Sequence, residues 1–103
     1  MDVDTRLVRS FLAVAEEGNL TRAAERLYVS QPALTKQIKS LETQLGVRLF
    51  TRSRAGMALT EAGRALRERA PGMLAACDQV LRETKSAASG AARVLRVGFL
   101  ASA

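Results

Sequence analysis

Histidine is absent from this chain and cysteine occurs once, at Cys77. Without histidine the commonest metal ligand and general base is missing. A lone cysteine can close no internal disulfide and build no cysteine-based zinc cluster. Catalysis is therefore not expected, and neither is a cofactor or a metal. Long apolar runs are missing too. Hydrophobic residues make up 48% of the chain, yet no run approaches the roughly 18 residues needed to span a bilayer. The opening MDVDTRLVRS begins with acids and moves straight into helical spacing, unlike the cationic and then apolar start of a secretion signal. A cytoplasmic protein is expected. Its 103 residues suit one small domain and hardly two.

What the chain has in excess is positive charge, +6 overall. Between residues 21 and 60 seven bases (Arg22, Arg26, Lys36, Lys39, Arg48, Arg52, Arg54) stand against two acids, Glu25 and Glu42. Such a patch draws nucleic acid by counterion release, although a basic face can equally be a solvated one.

The charge surrounds residues 30–46, SQPALTKQIKSLETQLG. Leu34, Ile38, Leu41 and Leu45 recur at the spacing that lines one face of a helix. Gln31, Thr35, Lys36 and Lys39 fall on the other side, with no acid before Glu42. Ser30 is a good N-cap, Pro32 sits where a missing N–H costs nothing, and Gly46 can take the left-handed geometry of a helix end.

Before it, a first helix is expected over 5–17, with Asp4 as cap, Gly18 as stop, and Val8, Phe11, Leu12 and Ala15 inward. A second is expected within 20–27, capped by Asn19 or Thr21, with Leu20, Ala23, Ala24 and Leu27 inward. Only Tyr28, Val29 and Ser30 separate it from the next helix, so the two should cross steeply, as in a helix-turn-helix. Val29 can plug the turn. After Gly46, Val47, Leu49 and Phe50 look buried, and SRAG reads as a turn between two short arms, with Met57 and Leu59 on the returning one. Thr60 then caps a long helix over about 61–88, with Glu61 in its first turn.

Along that helix Leu66, Met73, Val80 and Ala87 recur every seven residues, Ala70, Cys77 and Thr84 form a second line, and Leu74 and Leu81 lie beside them. A heptad seam of this kind seeks a partner helix. The plainer reading, that it covers the domain's own core, fits less well a helix of roughly 40 Å. Pro71-Gly72 interrupts the pattern, so a kink, or else a break, is expected. Residues 87–92, AASGAA, read as a flexible linker. Beyond it Val94, Leu95, Val97, Phe99 and Leu100 crowd as in a buried strand, the first of a domain that is cut short.

Taken together, FLAVAEEGNLTRAAERLYVSQPALTKQIKSLETQLGVRLFTRSRAGMALTEAG resembles the N-terminal domain of LysR-type transcriptional regulators. The spaced SQPALTKQI, LE, LG, LF, R and LTEAG are far more specific than a generic helix-turn-helix. The resemblance implies a mainly α fold: a winged helix-turn-helix of three helices and a two-stranded wing over 1–60, then a dimerisation helix over 61–88. Residues 89–103 would be a linker and the first strand of an effector-binding domain. It also implies binding to promoter DNA as a homodimer, tetramers in the whole protein, a small-molecule effector sensed only by the C-terminal domain, no membrane, and a bacterial, nucleoid-associated location.

By position in that motif, Gln31, Pro32, Thr35 and Lys36 would read bases, with Ala33 near the groove floor. Gln31 can pair with adenine N6 and N7, Lys36 can donate to guanine, and Pro32 or the Thr35 methyl can touch a thymine methyl. Pro32 can equally be only a first-turn proline, and Thr35 an exposed spacer. Thr21, Arg22, Ser30, Lys39, Arg52 and Arg54 are candidates for the DNA backbone or, for Arg54, the minor groove. Arg52 has a rival role, paired with the protein's own acids. Two departures stand out: Lys36 replaces a common arginine, a point charge for a planar fork, and Ala55 replaces a second wing arginine. Leu66, Ala70, Met73, Leu74, Cys77, Val80, Leu81 and Thr84 would form the dimer interface. A protein-interaction module is the rival reading. The charge excess and the lack of an aromatic cluster argue against it.

Overall fold

The computed structural model describes residues 3–102, with side-chain surroundings for 3–90. In chain order it holds α1 (Thr5–Glu17), α2 (Leu20–Leu27), α3 (Gln31–Leu45), β1 (Phe50–Ser53), β2 (Gly56–Leu59) and α4 (Glu61–Ser102). The contacts divide it into two units, Met1–Pro71 and Gly72–Ala103.

Helix ends in the first unit follow local chemistry. Asp4 accepts from the Arg6 N–H at 2.9 Å, Asn19 from the Arg22 N–H at 3.0 Å and Ser30 from the Ala33 N–H at 3.2 Å. Each thereby satisfies a donor the helix itself leaves orphaned. Asn19, rather than Thr21, is the cap of α2. Gly18 and Gly46 end α1 and α3 in left-handed geometry.

Phe11, Leu34, Leu41, Leu49, Val8 and Val14 are the largest fully buried side chains. Five expected core positions differ: Leu12, Ala15, Leu27 and Leu45 are half-buried and Val47 is 44% exposed. In place of Leu12 and Ala15, α1 buries Ala13, Val14 and Ser10. Ser10 tolerates burial because its hydroxyl donates to Gln37 Oε1 at 2.6 Å, so no polar group is left unpaired.

The wing is a tight antiparallel hairpin in which Phe50 faces Leu59 and Ser53 faces Gly56. It is anchored at both ends. Phe50 packs its ring 5.2 Å from that of Phe11, and the Met57 N–H donates to the Gly18 carbonyl at 3.3 Å. Thr60 caps α4, accepting from the Gly63 N–H at 3.0 Å while donating to the Arg48 carbonyl at 2.6 Å. Gly63 is needed there, since a Cβ would collide with the Leu49 carbonyl oxygen and Leu59 Cδ2.

Helix α4 continues through Pro71, so proline does not break it. It also runs on where a linker at 87–92 and a strand at 94–100 are expected. The physical reason is hydrogen bonding: a lone strand has no ladder partner, whereas a helix satisfies its own backbone, and four of the six residues in AASGAA are alanine, the best helix former. The expected burial of Val94, Leu95, Val97, Phe99 and Leu100 lies outside the described residues. No helix among those described is long and apolar enough to cross a membrane.

Candidate nucleic-acid interface

Helix α3 is the element the first unit presents. Leu34, Ile38 and Leu41 hold it to the core, which turns Gln31, Pro32, Ala33, Lys36 and Lys39 to solvent and leaves Thr35 half-buried. The turn before it is short because Tyr28 takes a left-handed conformation, φ 57° and ψ 40°, and the Val29 N–H returns to the Ala24 carbonyl at 3.0 Å. Val29 is half-buried and Tyr28 is 95% exposed. A left-handed tyrosine has no local sequence signal, since glycine or asparagine is the usual occupant.

The seven cations of residues 21–60 divide sharply. Arg26 ion-pairs with Glu16 at 2.6 Å and Glu17 at 3.5 Å. The hydrogen bond to Glu16 raises its pKa further above the usual arginine value. Arg48 lies 3.8 Å from Glu42 and donates to the Phe50 carbonyl at 3.5 Å. Among the described residues the other five, Arg22, Lys36, Lys39, Arg52 and Arg54, are exposed and have no acid within ion-pairing distance. Among the described residues Arg52 is thus in no ion pair with the protein's own carboxylates.

Two of the grooves beside α3 include residues of the hairpin. A cleft of about 390 Å³ between α3 and the hairpin brings Thr35, Lys39 and Glu42 together with Arg48 and Arg52 over an apolar floor that includes Ile38 and Phe50. A smaller one, about 170 Å³, brings Thr21 and Gln31 together with Arg52. Arg52 therefore sits beside both ends of the α3 face. Neither groove includes Arg54, which occupies the tight turn between β1 and β2.

Two contributors escaped sequence reasoning. Glu42 Oε2 accepts from the N–H groups of Leu49 and Phe50 at 2.7 and 3.4 Å, and so ties the root of the hairpin to α3. Its signal was visible as the first acid on a cationic helix. Thr21, a candidate for the DNA backbone, donates from Oγ1 to Gln31 Oε1 at 3.3 Å. Nothing local to either residue announces that contact.

The presumed dimer positions differ among themselves. Ala70 and Leu74 are buried within the single chain, and Leu66 and Cys77 are half-buried. Met73, Val80 and Leu81 are 42%, 59% and 59% exposed. The exposed Thr84 donates to the Val80 carbonyl at 2.7 Å, so its hydroxyl is satisfied within its own helix.

A family model described as bacterial regulatory helix-turn-helix protein, lysR family, matches residues 5–64. The chain is 44% identical over 101 residues to the HTH-type transcriptional regulator TfdS of Cupriavidus pinatubonensis, covering 98% of this chain and 34% of that protein. It is 43% identical over 100 residues to the HTH-type transcriptional regulator BudR of Klebsiella aerogenes, covering 97% of this chain and 70% of BudR. Among solved structures it is similar to the CbnR DBD–DNA complex, with 43% identity and a TM-score of 0.79 over 84% of this chain and 99% of the other. The chain thus spans about a third of the length of the first curated relatives it matches.

Proposed function

The chain belongs to the LysR family of bacterial regulatory helix-turn-helix proteins, and from that premise we propose that it is the sequence-specific DNA-binding part of a transcriptional regulator. The start of α3 enters the major groove of promoter DNA. Gln31, Pro32, Thr35 and Lys36 face base edges there, with Ala33 near the groove floor. Thr21, Arg22, Ser30, Lys39 and Arg52 meet the backbone, and Arg54 at the hairpin tip meets the minor groove.

The observation that carries this reading is the division of cations: among the described residues those on α3, at the start of α2 and on the hairpin form no ion pair, while Arg26 and Arg48, though also exposed, lie within ion-pairing distance of acids. A polyanion is the partner that such a face lacks. The exposed Met73, Val80 and Leu81 support the second part of the proposal, pairing of two chains through α4. In the whole protein this places two α3 helices on one site, with a C-terminal domain sensing a small effector, tetramers gripping promoter DNA, and the cytoplasm as the place of action.

Selection of bound sequences from a random DNA pool tests the reading. Two related half-sites at fixed spacing are expected, because a dimer's symmetry is copied into its site. A pool that stays random, with binding no tighter than that of any basic protein at moderate salt, would refute it.

A further inference from the structure

We infer, on the reading of Arg52 as a contact to the DNA backbone, that Glu42 is a positioning residue for it: the Glu42 carboxylate holds the hairpin against α3 and so sets where Arg52 stands relative to the base-reading start of that helix. Glu42 acts through the hairpin, without touching DNA.

Glu42 lies in the last turn of α3, and its side chain is only 15% exposed. The passage from helix to hairpin folds around it. Its backbone carbonyl accepts from the N–H groups of Gly46 and Val47 at 2.8 and 3.2 Å, and its Oε2 accepts from those of Leu49 and Phe50 at 2.7 and 3.4 Å. A charged acceptor makes the stronger kind of hydrogen bond, and the Leu49 contact is the shorter of the two. The hairpin's other anchors run to α1: Phe50 packs on Phe11, and the Met57 N–H donates to the carbonyl of Gly18, which ends that helix. Glu42 supplies a tie to α3.

The place of Arg52 follows from that tie. Phe50 and Arg52 are two apart on β1 and therefore share one face of the strand, and both line the cleft against α3 with Thr35 and Lys39. A slip of one residue would turn Arg52 to the opposite face. Glu42 lines the same cleft, yet among the described residues it forms no ion pair with Lys39 or Arg52. Its charge alone would repel phosphate. What it can contribute to binding is its hold on the hairpin.

Duplex binding by Glu42→Ala, Arg52→Ala and the double variant, with Glu42→Gln and its own Arg52→Ala partner alongside, tests this well below the melting transition, with folding checked by circular dichroism. When Glu42 is present, Arg52→Ala should weaken binding roughly 5-fold at about 0.15 M salt and reduce the salt slope by about one. In Glu42→Ala the same change should cost less than about twofold and leave the slope nearly unaltered, since an arginine out of place has little to lose. Glu42→Gln also lacks the charge but keeps an acceptor oxygen, so there the Arg52 effect should return, and Glu42→Ala should bind every duplex more weakly than Glu42→Gln. In DNA-free chain, residual dipolar couplings should show β1 reoriented against α3 in Glu42→Ala and not in Glu42→Gln. An Arg52 effect of equal size in all backgrounds would overturn the inference, as would equally tightened binding in both Glu42 variants, the mark of an acid that only repels. Where Glu42→Ala does not fold, Glu42→Asp, a carboxylate one methylene shorter, replaces it in the cycle with the same loss expected. If Arg52→Ala changes nothing even beside Glu42, the backbone role of Arg52 fails, and this role for Glu42 fails with it.

Discussion

The outward face of α3 and the outward stripe of α4 at residues 73–81 are both exposed, but they lack different things. On α3 the exposed groups include an amide and two cations, Lys36 and Lys39, that form no ion pair among the described residues. On α4 they are Met73, Val80 and Leu81, apolar groups left in water. An unpaired cation is well solvated and waits without cost, and it contributes only when it releases a polyanion's counterions. An exposed apolar stripe is unfavourable until covered. The contrast teaches that binding specificity and assembly are separable in this chain: one face is polar and stable alone, the other asks for a second apolar surface.

The change expected to break the comparison most strongly is Leu81→Glu. Burying a leucine is worth about 1.5–3 kcal/mol and a pair of chains buries two, so the dissociation constant should rise by about 100-fold or more in sedimentation velocity. Unchanged association would mean that the stripe serves some other purpose. Next in size is Gly63→Ala, which drives a methyl into the Leu49 carbonyl. Overpacking of this kind costs about 1–3 kcal/mol or more, and each kcal/mol lowers Tm by roughly 4–8 °C in a small domain. Thermal melting should show it, with base preference retained at temperatures well below the transition.

Two substitutions sharpen the α3 side. Lys36→Ala should cost about 1–3 kcal/mol on the preferred site and flatten preference at one base pair. Arg52→Ala should instead weaken all duplexes alike and reduce the salt slope by about one. Titrations at several salt concentrations separate them, and the assignments exchange if Arg52→Ala changes preference while Lys36→Ala does not. The smallest effect is at Asp4. The Arg6 side chain, and then its backbone N–H, hold the Asp4 carboxyl below its ordinary 3.8. A folded-state pKa below the unfolded one means that the contribution is complete above about that value and is lost as pH falls through the lowered one. Asp4→Asn keeps a capping oxygen and should remove this part of the acid dependence of helicity, read by circular dichroism. An identical acid limb in wild type and variant would show that the ion pair contributes nothing.

Much of the fold was legible because its signals are short-range. The Asp4 and Ser30 caps, the Gly18 and Gly46 stops, and the two-residue turn of the hairpin each act within a few residues of themselves. Leu34, Ile38 and Leu41 follow from periodicity alone. Errors arose where a partner was distant or missing. Val47 is apolar but exposed, Ser10 is polar but buried on Gln37, and the apolar cluster at 94–100 has no strand to pair with.

By itself the sequence determined where α1 to α3 and the hairpin begin and end, which residues could face a groove, and how much positive charge surrounds them. Caps, periods and composition are properties of neighbouring residues, and they survive without knowledge of the fold. Only the tertiary structure decided which charges remain available. Arg26 meets Glu16 from ten residues away and Arg48 meets Glu42, while Arg52, in grooves it shares with Gln31, Lys39 and Glu42, forms no ion pair among the described residues. It also brought Thr21 within hydrogen-bonding distance of Gln31. Pairings of this sort depend on how α2, α3 and the hairpin pack, and packing brings together residues whose separation along the chain carries no signal.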